Sequence, residues 1–330
     1  MAVDAAGSGG PGGPGGPGAS GGSGVSGAEV LTSVADGVAV VTVNRPAVRN
    51  AISPATMDAL ESALDLVSDS ADVLVIRGGG ERAFVSGGDL KELAKIRTFD
   101  GAVAMAVRMR RLCDRIATFP VPVVAVVNGH ALGGGAEVAV AADIRVAADD
   151  VTIGFNQSRL AIMPAWGGAE RLAAVVGRSQ ALLLATTGER IDAAEALRIG
   201  LFDRVYPRAS FESSWRSLAS LIASSPSRAI KSVIAAAAPH HHPELEESAA
   251  SAFAALWVAD AHWAAADALS RRLLVAEGED RRLDPVLEAE FGEDAADVGL
   301  DRLLADRQVL GDLTVAVTAG DQPEHLAFAG

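Results

Sequence analysis

The sequence has few cysteines and few basic residues, and each shortage excludes a class of protein. Its one cysteine, Cys113, cannot form an intrachain disulfide, which predicts a protein of a reducing compartment such as the cytoplasm. The 28 lysines and arginines are outnumbered by 42 aspartates and glutamates, so the net charge is −14. Such an acidic chain is poorly suited to bind nucleic acid or an anionic membrane surface, and local donors must hold any anionic ligand.

Long apolar runs are also missing. No uncharged apolar stretch reaches the length that spans a bilayer, and the N-terminus lacks the basic and apolar regions of a secretion signal. What is present is a chain of 330 residues with 49% hydrophobic residues, which is typical of a globular protein with a sizeable core. We therefore expect a soluble cytoplasmic protein that has neither a membrane nor a nucleic acid as a partner.

The pattern along the chain predicts an α/β fold between two tails. Residues 1–27 are mostly Gly, Pro and Ser, which predicts a disordered segment. Residues 28–205 alternate valine-rich strands with helices, which indicates parallel strands joined by crossover helices. Residues 206–275 have a mostly helical pattern that predicts a separate section, and residues 276–330 form an acidic tail to which we assign no role.

The segment GHALGGGAEVAVAAD, residues 129–143, places three glycines before an apolar helix that carries one acid, Glu137. The free N–H groups at the start of a helix suit an anion or a developing oxyanion. A phosphate loop is excluded because no Gly-Lys-Ser/Thr follows, and the spacing of a dinucleotide-binding loop is absent. From this segment alone, a tight turn without a ligand is equally consistent.

A second strand runs into a similar turn at Gly87-Gly88, which an acid, Asp89, follows. Two such turns can present two backbone N–H groups to one oxygen atom. Glu137 is then either a solvated acid or a desolvated one, whose raised pKa suits proton transfer. Further along, residues 164–168 (PAWGG) predict a rigid apolar wall that enters a helix.

These segments, taken in order, resemble the enoyl-CoA hydratase/isomerase (crotonase) superfamily. The matching stretches are VTVNRPAVRNAIS, AFVSGGDLKEL, VPVVAVVNGHALGGGAEVAVAADIRVA, AIMPAWGGAERLAAVVG, TGERIDAAEALRIGLFDRVYP and SSPSRAIKSVI. The resemblance implies a spiral of ββα units with a C-terminal helical oligomerisation region, and a homotrimer or dimer of trimers. It also implies an acyl-CoA thioester substrate, so that CoA is part of the substrate and neither a separate cofactor nor a metal is expected.

The resemblance assigns roles to individual residues. Gly88 and Gly134 would form an oxyanion hole, in which one donor is typically worth ~3 kcal/mol, and Glu137 would be the acid/base. The positions that match CoA-contacting or acyl-contacting positions of the family are Asn50, Ala51, Gly88, Asp89, Leu90, Lys91, Gly134, Trp166 and Lys231. A solvated helix lysine is equally consistent for Lys231, and simple packing is equally consistent for Trp166.

Gln157 departs from the hydratases of this family, which hold a water between two glutamates. Counting back from Pro164, Gln157 occupies the second position, where an amide can hold a water but cannot accept its proton. Losing one acid/base group commonly costs ~10²–10⁴-fold in rate. The segment MPAWGG resembles that of ethylmalonyl-CoA decarboxylase, which also lacks the second glutamate.

These two features favour a lyase of the alkylmalonyl-CoA decarboxylase type. Decarboxylation needs less acid/base chemistry, because the oxyanion hole stabilises the enolate that remains as CO₂ departs. Two alternatives stay open: an enoyl-CoA hydratase or isomerase of altered mechanism, with Gln157 in place of the second glutamate, and a non-catalytic acyl-CoA-binding protein.

Two remaining features favour structural interpretations. The histidines His240, His241 and His242 are adjacent between prolines and cannot converge on one ion, so we expect an exposed turn. Cys113 lies mid-helix beside Leu112, and we expect it to be packed rather than nucleophilic.

Overall fold

Strands and helices alternate over residues 28–236 and 243–268, the part of the chain that the computed structural model describes. The strands are β1 Val30–Ala35, β2 Val38–Val43, β3 Val73–Gly78, β4 Ala83–Val85, β5 Val123–Val127, β6 His130–Leu132, β7 Ile144–Ala148, β8 Thr152–Gly154, β9 Arg190–Asp192 and β10 Arg204–Tyr206. The predictions for residues 1–27, for the tail from residue 276 and for His240–His242 lie outside the described residues.

The helices are α1 Pro54–Val67, α2 Leu90–Leu93, α3 Phe99–Ala117, α4 Gly134–Ala141, α5 Gly168–Val176, α6 Arg178–Thr187, α7 Ala193–Arg198, α8 Arg208–Ala223, α9 Ser227–Ala236 and α10 Pro243–Trp257. Two short 3-10 helices are η1 Pro46–Val48 and η2 Asn156–Leu160. A last helical segment covers residues 260–268.

The larger sheet has six strands in the order β1-β2-β3-β5-β7-β10. All its neighbouring pairs are parallel except the β1–β2 hairpin. Strand β5 is buried along its whole length, which explains its nearly pure valine sequence, since parallel strands are covered on both faces.

The smaller sheet has four strands in the order β4-β6-β8-β9, of which the first three run parallel. Its first three strands follow β3, β5 and β7 along the chain, so each turn of the fold places one strand in each sheet before the next helix. This is the predicted spiral of ββα units, and the α/β fold class is confirmed. The smaller sheet was not predicted from the sequence, because its strands are only three residues long.

Strand β1 was also missed. It pairs with β2 through the turn at Asp36-Gly37, where both residues have positive φ, 50° and 75°. An Asp-Gly pair is the preferred sequence for such a two-residue hairpin turn. The Asp36-Gly37 dipeptide could therefore have been used to predict the hairpin, and with it β1, from the sequence.

The C-terminal section is helical as predicted, but it is not separate from the core. Helix α8 buries Phe211, Trp215 and Ala219, and α10 packs along α3. Helix α10 buries Phe253 and Trp257 as well. In the described part of the chain, no helix is long and apolar enough to cross a bilayer.

Candidate active site

One edge of the smaller sheet brings the predicted site residues together. Gly88 follows β4, Gly134 and Glu137 follow β6, and Gln157 follows β8. Because β4, β6 and β8 are parallel neighbours, the segments that leave their carboxyl ends lie side by side. Residues that are up to 69 positions apart in the sequence (88 to 157) thereby form one site.

The two glycine turns face each other, as predicted. Gly87 has a φ of +112°, and a Cβ on it would lie 3.4 Å from the Gly134 nitrogen. The hydrogen bonds of the β-bridge between Ile52 and Gly88 are made by the Gly87 carbonyl and the Asp89 N–H. Within the described residues, the Gly88 N–H itself donates to no acceptor. Gly134 begins α4, where an N–H has no partner within the helix. The N–H groups of Gly88 and Gly134 can therefore both donate to one oxygen atom of a ligand.

The indole of Trp166 lies against both of these glycines. A Cβ on Gly134 would come within 2.1 Å of the Trp166 ring, and one on Gly88 would lie 3.7 Å from it. The Trp166 ring is buried, and the backbone N–H of Trp166 donates a hydrogen bond to the Glu137 carboxylate. Trp166 is thus an apolar wall directly beside the two amides.

Glu137 is buried in the first turn of α4, and its carboxylate accepts three hydrogen bonds. Its Oε2 accepts the backbone N–H groups of Trp166 at 2.7 Å and Gly168 at 2.9 Å. Its Oε1 accepts Nε2 of Gln157 at 2.8 Å. Burial raises the pKa of Glu137 to about 7, although the three hydrogen bonds oppose that shift. Of the two predicted alternatives for this acid, the desolvated one is confirmed.

Gln157 is buried beside Glu137, so the amide occupies the place where the hydratases of this family were expected to have a second glutamate. Its Oε1 is buried and has no hydrogen-bond partner among the residues that the structure describes. The nearby Glu170 also raises the pKa of Glu137, but the Glu170 carboxylate is bound to Nη1 of Arg110 at 2.5 Å. Within the described ranges, Glu137 is therefore the carboxylate available for proton transfer at this site.

The loop after Gly88 is held in place by Asp89, and its predicted contact with CoA stays a prediction. Asp89 caps α2 and forms an ion pair with Arg45 at 2.9 Å, so its carboxylate stabilises the loop. Leu90 is half-buried and Lys91 is exposed, which leaves the lysine accessible to a ligand.

The predicted nucleotide contact of Asn50 is not supported by its side chain. Its Nδ2 donates to the carbonyls of Gly79 and Ala83, and its Oδ1 accepts the Arg45 N–H. The Ala51 carbonyl accepts Nη1 of Arg45, and its N–H donates to Val48. The polar hydrogens of Asn50 and Ala51 are used within the protein, so these residues shape the loop, and their contact with a nucleotide stays a prediction.

For Lys231, the solvated alternative is wrong, and a contact with CoA bound to a neighbouring subunit stays a prediction. Its Nζ forms an ion pair with Asp143 at 2.7 Å and donates to the Val121 carbonyl, and its side chain is largely buried. It therefore anchors α9 to the start of β5 rather than lying in solvent or reaching a phosphate of a ligand on the same chain.

Cys113 is packed, as predicted. It is fully buried, and burial raises the pKa of its thiol to about 12, which suppresses the nucleophilic thiolate. No group of three His, Cys, Asp or Glu side chains in the described ranges is placed to hold a metal ion.

Comparisons with known proteins agree with this architecture. The enoyl-CoA hydratase/isomerase family model matches residues 33–256. A short-chain-enoyl-CoA hydratase of Clostridium acetobutylicum is 35% identical over 59% of this chain and 75% of its own length. An ethylmalonyl-CoA decarboxylase of Rattus norvegicus is 36% identical over 52% of this chain and 57% of its own length.

Solved structures show the same fold. An enoyl-CoA hydratase from Bacillus anthracis superimposes with a TM-score of 0.61 and 32% identity, over 68% of this chain and 89% of that one. An enoyl-CoA hydratase from Mycobacterium avium subsp. paratuberculosis gives a TM-score of 0.66 at 28% identity, over 73% of this chain and 98% of that one. With the match to the family model, these likenesses show that the chain is a member of the enoyl-CoA hydratase/isomerase family, a superfamily of enzymes that act on CoA thioesters.

Proposed function

We propose that this enzyme is a lyase of the alkylmalonyl-CoA decarboxylase type. The observation that carries the proposal is the amide at Gln157, which leaves Glu137 as the single proton-transferring group that the described residues supply at the site. Decarboxylation of a malonyl thioester needs one enolate-stabilising site and one proton donor, and these residues supply both.

The reaction balances with these residues alone. The bond between the α-carbon and the carboxylate breaks, its electron pair forms the enolate, and CO₂ leaves. The Gly88 and Gly134 amides stabilise the enolate oxygen. Protonated Glu137 then gives its proton to the α-carbon and recovers one from solvent. A pKa of about 7 keeps a large fraction of Glu137 protonated near neutral pH.

Trp166 favours the same reaction. Its ring lies directly against Gly134 and near Gly88, so it borders the space where a thioester oxygen would bind. An apolar surface there disfavours a charged carboxylate in the ground state more than the less polar transition state for CO₂ loss.

Enoyl-CoA hydration is the second candidate, and one observation favours it. The unpartnered Oε1 of Gln157 needs a hydrogen-bond donor, which a water bound beside Glu137 would supply. In that reaction ionised Glu137 takes the proton of the water, and Gln157 only holds it in place. Several relatives, including that of Clostridium acetobutylicum, are named enoyl-CoA hydratases.

Turnover of two thioesters separates these candidates. We expect ethylmalonyl-CoA to lose CO₂ faster than crotonyl-CoA is hydrated, and kcat to fall as pH rises through about 7 because Glu137 must be protonated. Hydration requires ionised Glu137, so its rate would rise over the same range. Rapid hydration of crotonyl-CoA, with no CO₂ released from ethylmalonyl-CoA, would replace decarboxylation with the second candidate.

Gln157→Glu is the matched variant for this comparison. It restores a second carboxylate with little change in volume, so it should raise crotonyl-CoA hydration from a low starting rate. It should also slow decarboxylation, since a second negative charge would repel the substrate carboxylate. A decarboxylation rate that rises in this variant would contradict the proposal.

We further propose that the enzyme assembles as a homotrimer through α9. Ile230, Val233 and Ile234 lie on one face of this helix and are 49%, 72% and 67% exposed. An apolar helix face of this kind is typical of a surface that a partner covers.

Val233→Asp combined with Ile234→Asp should convert the assembly to monomers, because burying two carboxylates in an apolar interface is strongly unfavourable. Size-exclusion chromatography with light scattering measures the change. Ser232→Asp adds a charge on the exposed polar face of the same helix and should leave the assembly intact. A wild-type protein that is monomeric at micromolar concentration would exclude the trimer.

A further inference from the structure

The end of the described chain forms a cluster of aromatic side chains, Phe253, Trp257, His262 and Trp263, which we call the C-terminal aromatic cluster. His262 is fully buried, and its ring centroid lies 4.6 Å from that of Trp257 and 4.5 Å from that of Trp263. Trp257 also stacks near Phe253, with centroids 5.5 Å apart.

Two hydrogen bonds join this cluster to the segments that carry the site. Nδ1 of His262 donates to the Leu160 carbonyl at 2.6 Å, and Leu160 ends η2, the helix that holds Gln157. The direction of that bond follows because a carbonyl only accepts. Nε1 of Trp257 donates to the Ile96 carbonyl at 2.8 Å, three residues after the end of α2, which follows the Gly88 turn.

Stability alone does not account for His262. Burial lowers its pKa, so the ring is neutral near pH 7 and Nε2 is a bare acceptor. That atom is buried, and no residue in the described ranges forms a hydrogen bond with it. An unsatisfied buried acceptor is destabilising, and a phenylalanine would fill the same aromatic stack without it. The His262 side chain is thus better explained by its bond to Leu160 than by packing.

We propose that His262 is a positioning residue, which acts through Leu160 to hold η2 so that Gln157 keeps its hydrogen bond to Glu137. Trp257 serves the Gly88 turn in the same way through Ile96. Neither side chain needs to touch a ligand for this role. The proposal rests on the proposed function for its kinetic test, but a titration of Glu137 tests it without turnover.

His262→Phe and His262→Asn form a matched pair. Phenylalanine keeps the aromatic stack and removes the donor, whereas asparagine keeps an N–H that can reach Leu160 and removes the ring. We expect His262→Phe to lower kcat by about 10-fold to 10²-fold, because small misplacements of a catalytic group are costly. His262→Asn should retain most of the activity even if it lowers the melting temperature. The opposite order, with His262→Phe fully active and His262→Asn impaired, would overturn the proposal.

The pKa of Glu137 gives a measurement that packing would not move. The hydrogen bond from Gln157 lowers this pKa, so loosening η2 should raise it above the wild-type value. The other nearby charged group, Glu170, is bound to Arg110 and is unchanged in the variant. A ¹³C NMR titration of protein labelled at the glutamate carboxyl carbons, assigned with Glu137→Gln, measures it.

The two proposals fail in distinguishable ways. If no thioester is turned over, the proposed function fails, but a raised Glu137 pKa in His262→Phe still supports the positioning role. An unchanged pKa and an unchanged kcat in that variant would overturn the positioning role alone.

Should His262→Phe fold poorly, Trp257→Phe provides the second test. It removes the bond to Ile96 while keeping an aromatic ring, and it should lower kcat through the Gly88 turn; an unchanged kcat would count against the proposal.

Discussion

Glu137→Gln should abolish most of the activity, lowering kcat by about 10²–10⁴-fold, the usual effect of losing a general acid/base. The reason is that, among the described residues, Glu137 is the single acid/base of the proposed site, since Gln157 takes the second position and Arg110 binds Glu170. The measurement is kcat for ethylmalonyl-CoA and for crotonyl-CoA. This variant also separates an enzyme from an acyl-CoA-binding protein, because unchanged rates would mean that Glu137 carries no chemistry.

The same variant should fold at least as stably as the wild type. A glutamine at position 137 keeps an oxygen for the Trp166 and Gly168 N–H groups, which both bond Oε2. Its amide nitrogen would face Gln157, which can rotate and offer the Oε1 that has no partner in the wild type. The loss of activity would therefore not come from unfolding.

The sign of the pH effect on stability follows from the pKa of Glu137. That pKa is raised from 4.5 to about 7 on folding, so the native protein binds this proton more tightly than the unfolded chain does. The stabilising contribution is complete below pH 4.5 and is lost as pH rises through 7. A shift of this size corresponds to about 3 kcal/mol, and Glu137→Gln should remove that dependence.

Denaturant unfolding at pH 5 and pH 8 measures this difference. The free energy of unfolding of Glu137→Gln, relative to that of the wild type, should be larger at pH 8 than at pH 5, which means that the variant gains stability relative to the wild type as pH rises. Glu170→Gln is the control, since it removes the neighbouring carboxylate that binds Arg110. It should lower stability while leaving kcat nearly unchanged. A large drop in kcat for Glu170→Gln would mean that Glu137 is not the single acid.

Local sequence patterns were sufficient to predict the centre of the site. The glycines before α4 and the apolar run after them predict a helix start with free N–H groups, and Glu137 lies one turn inside it. The pairing of the Gly88 and Gly134 turns was predicted as a possibility from two similar strand ends. The family resemblance then assigned each of them a role, and the structure places them face to face.

The remaining contacts depend on segments that are distant in sequence. Three-residue strands give no periodicity, so the smaller sheet, which aligns these segments, was not predictable. The buried ion pair of Lys231 was not predictable because its partner Asp143 is 88 residues away. The contact between His262 and Leu160 spans 102 residues and depends on how the last helices pack, which no local pattern specifies.

Gly134→Ala should lower kcat by about 10²–10³-fold, the usual effect of losing an oxyanion-hole donor. Helical backbone at this position tolerates alanine, so the cause is the new methyl group. It would lie 2.1 Å from the Trp166 ring, which is far closer than carbon atoms approach. Either the ring or the start of α4 must move, and both border the proposed oxygen site. Overpacking of this kind should also cost about 1–3 kcal/mol of stability.

A double-mutant cycle with Trp166→Ala tests that cause. Removing the indole leaves a cavity and is destabilising by itself, but it also makes room for the methyl group of Gly134→Ala. The double variant should therefore be more stable than the sum of the single effects predicts, by an interaction energy of about 1 kcal/mol or more. Additive effects of the two substitutions on stability would mean that the Trp166 ring does not limit the size of the side chain at position 134.

Gly88→Ala alters the other amide of the proposed oxyanion hole and can be compared directly with Gly134→Ala. Its methyl group would meet the tip of Leu93 at 2.6 Å and the Trp166 ring at an ordinary 3.7 Å. Leu93 ends in a flexible methyl group that can rotate away, so Gly88→Ala should cost less stability than Gly134→Ala. If the two amides share one oxygen, both variants should lower kcat much more than they raise KM. A change confined to KM in both would mean that these amides bind substrate and transition state equally, and would remove the oxyanion hole from the mechanism.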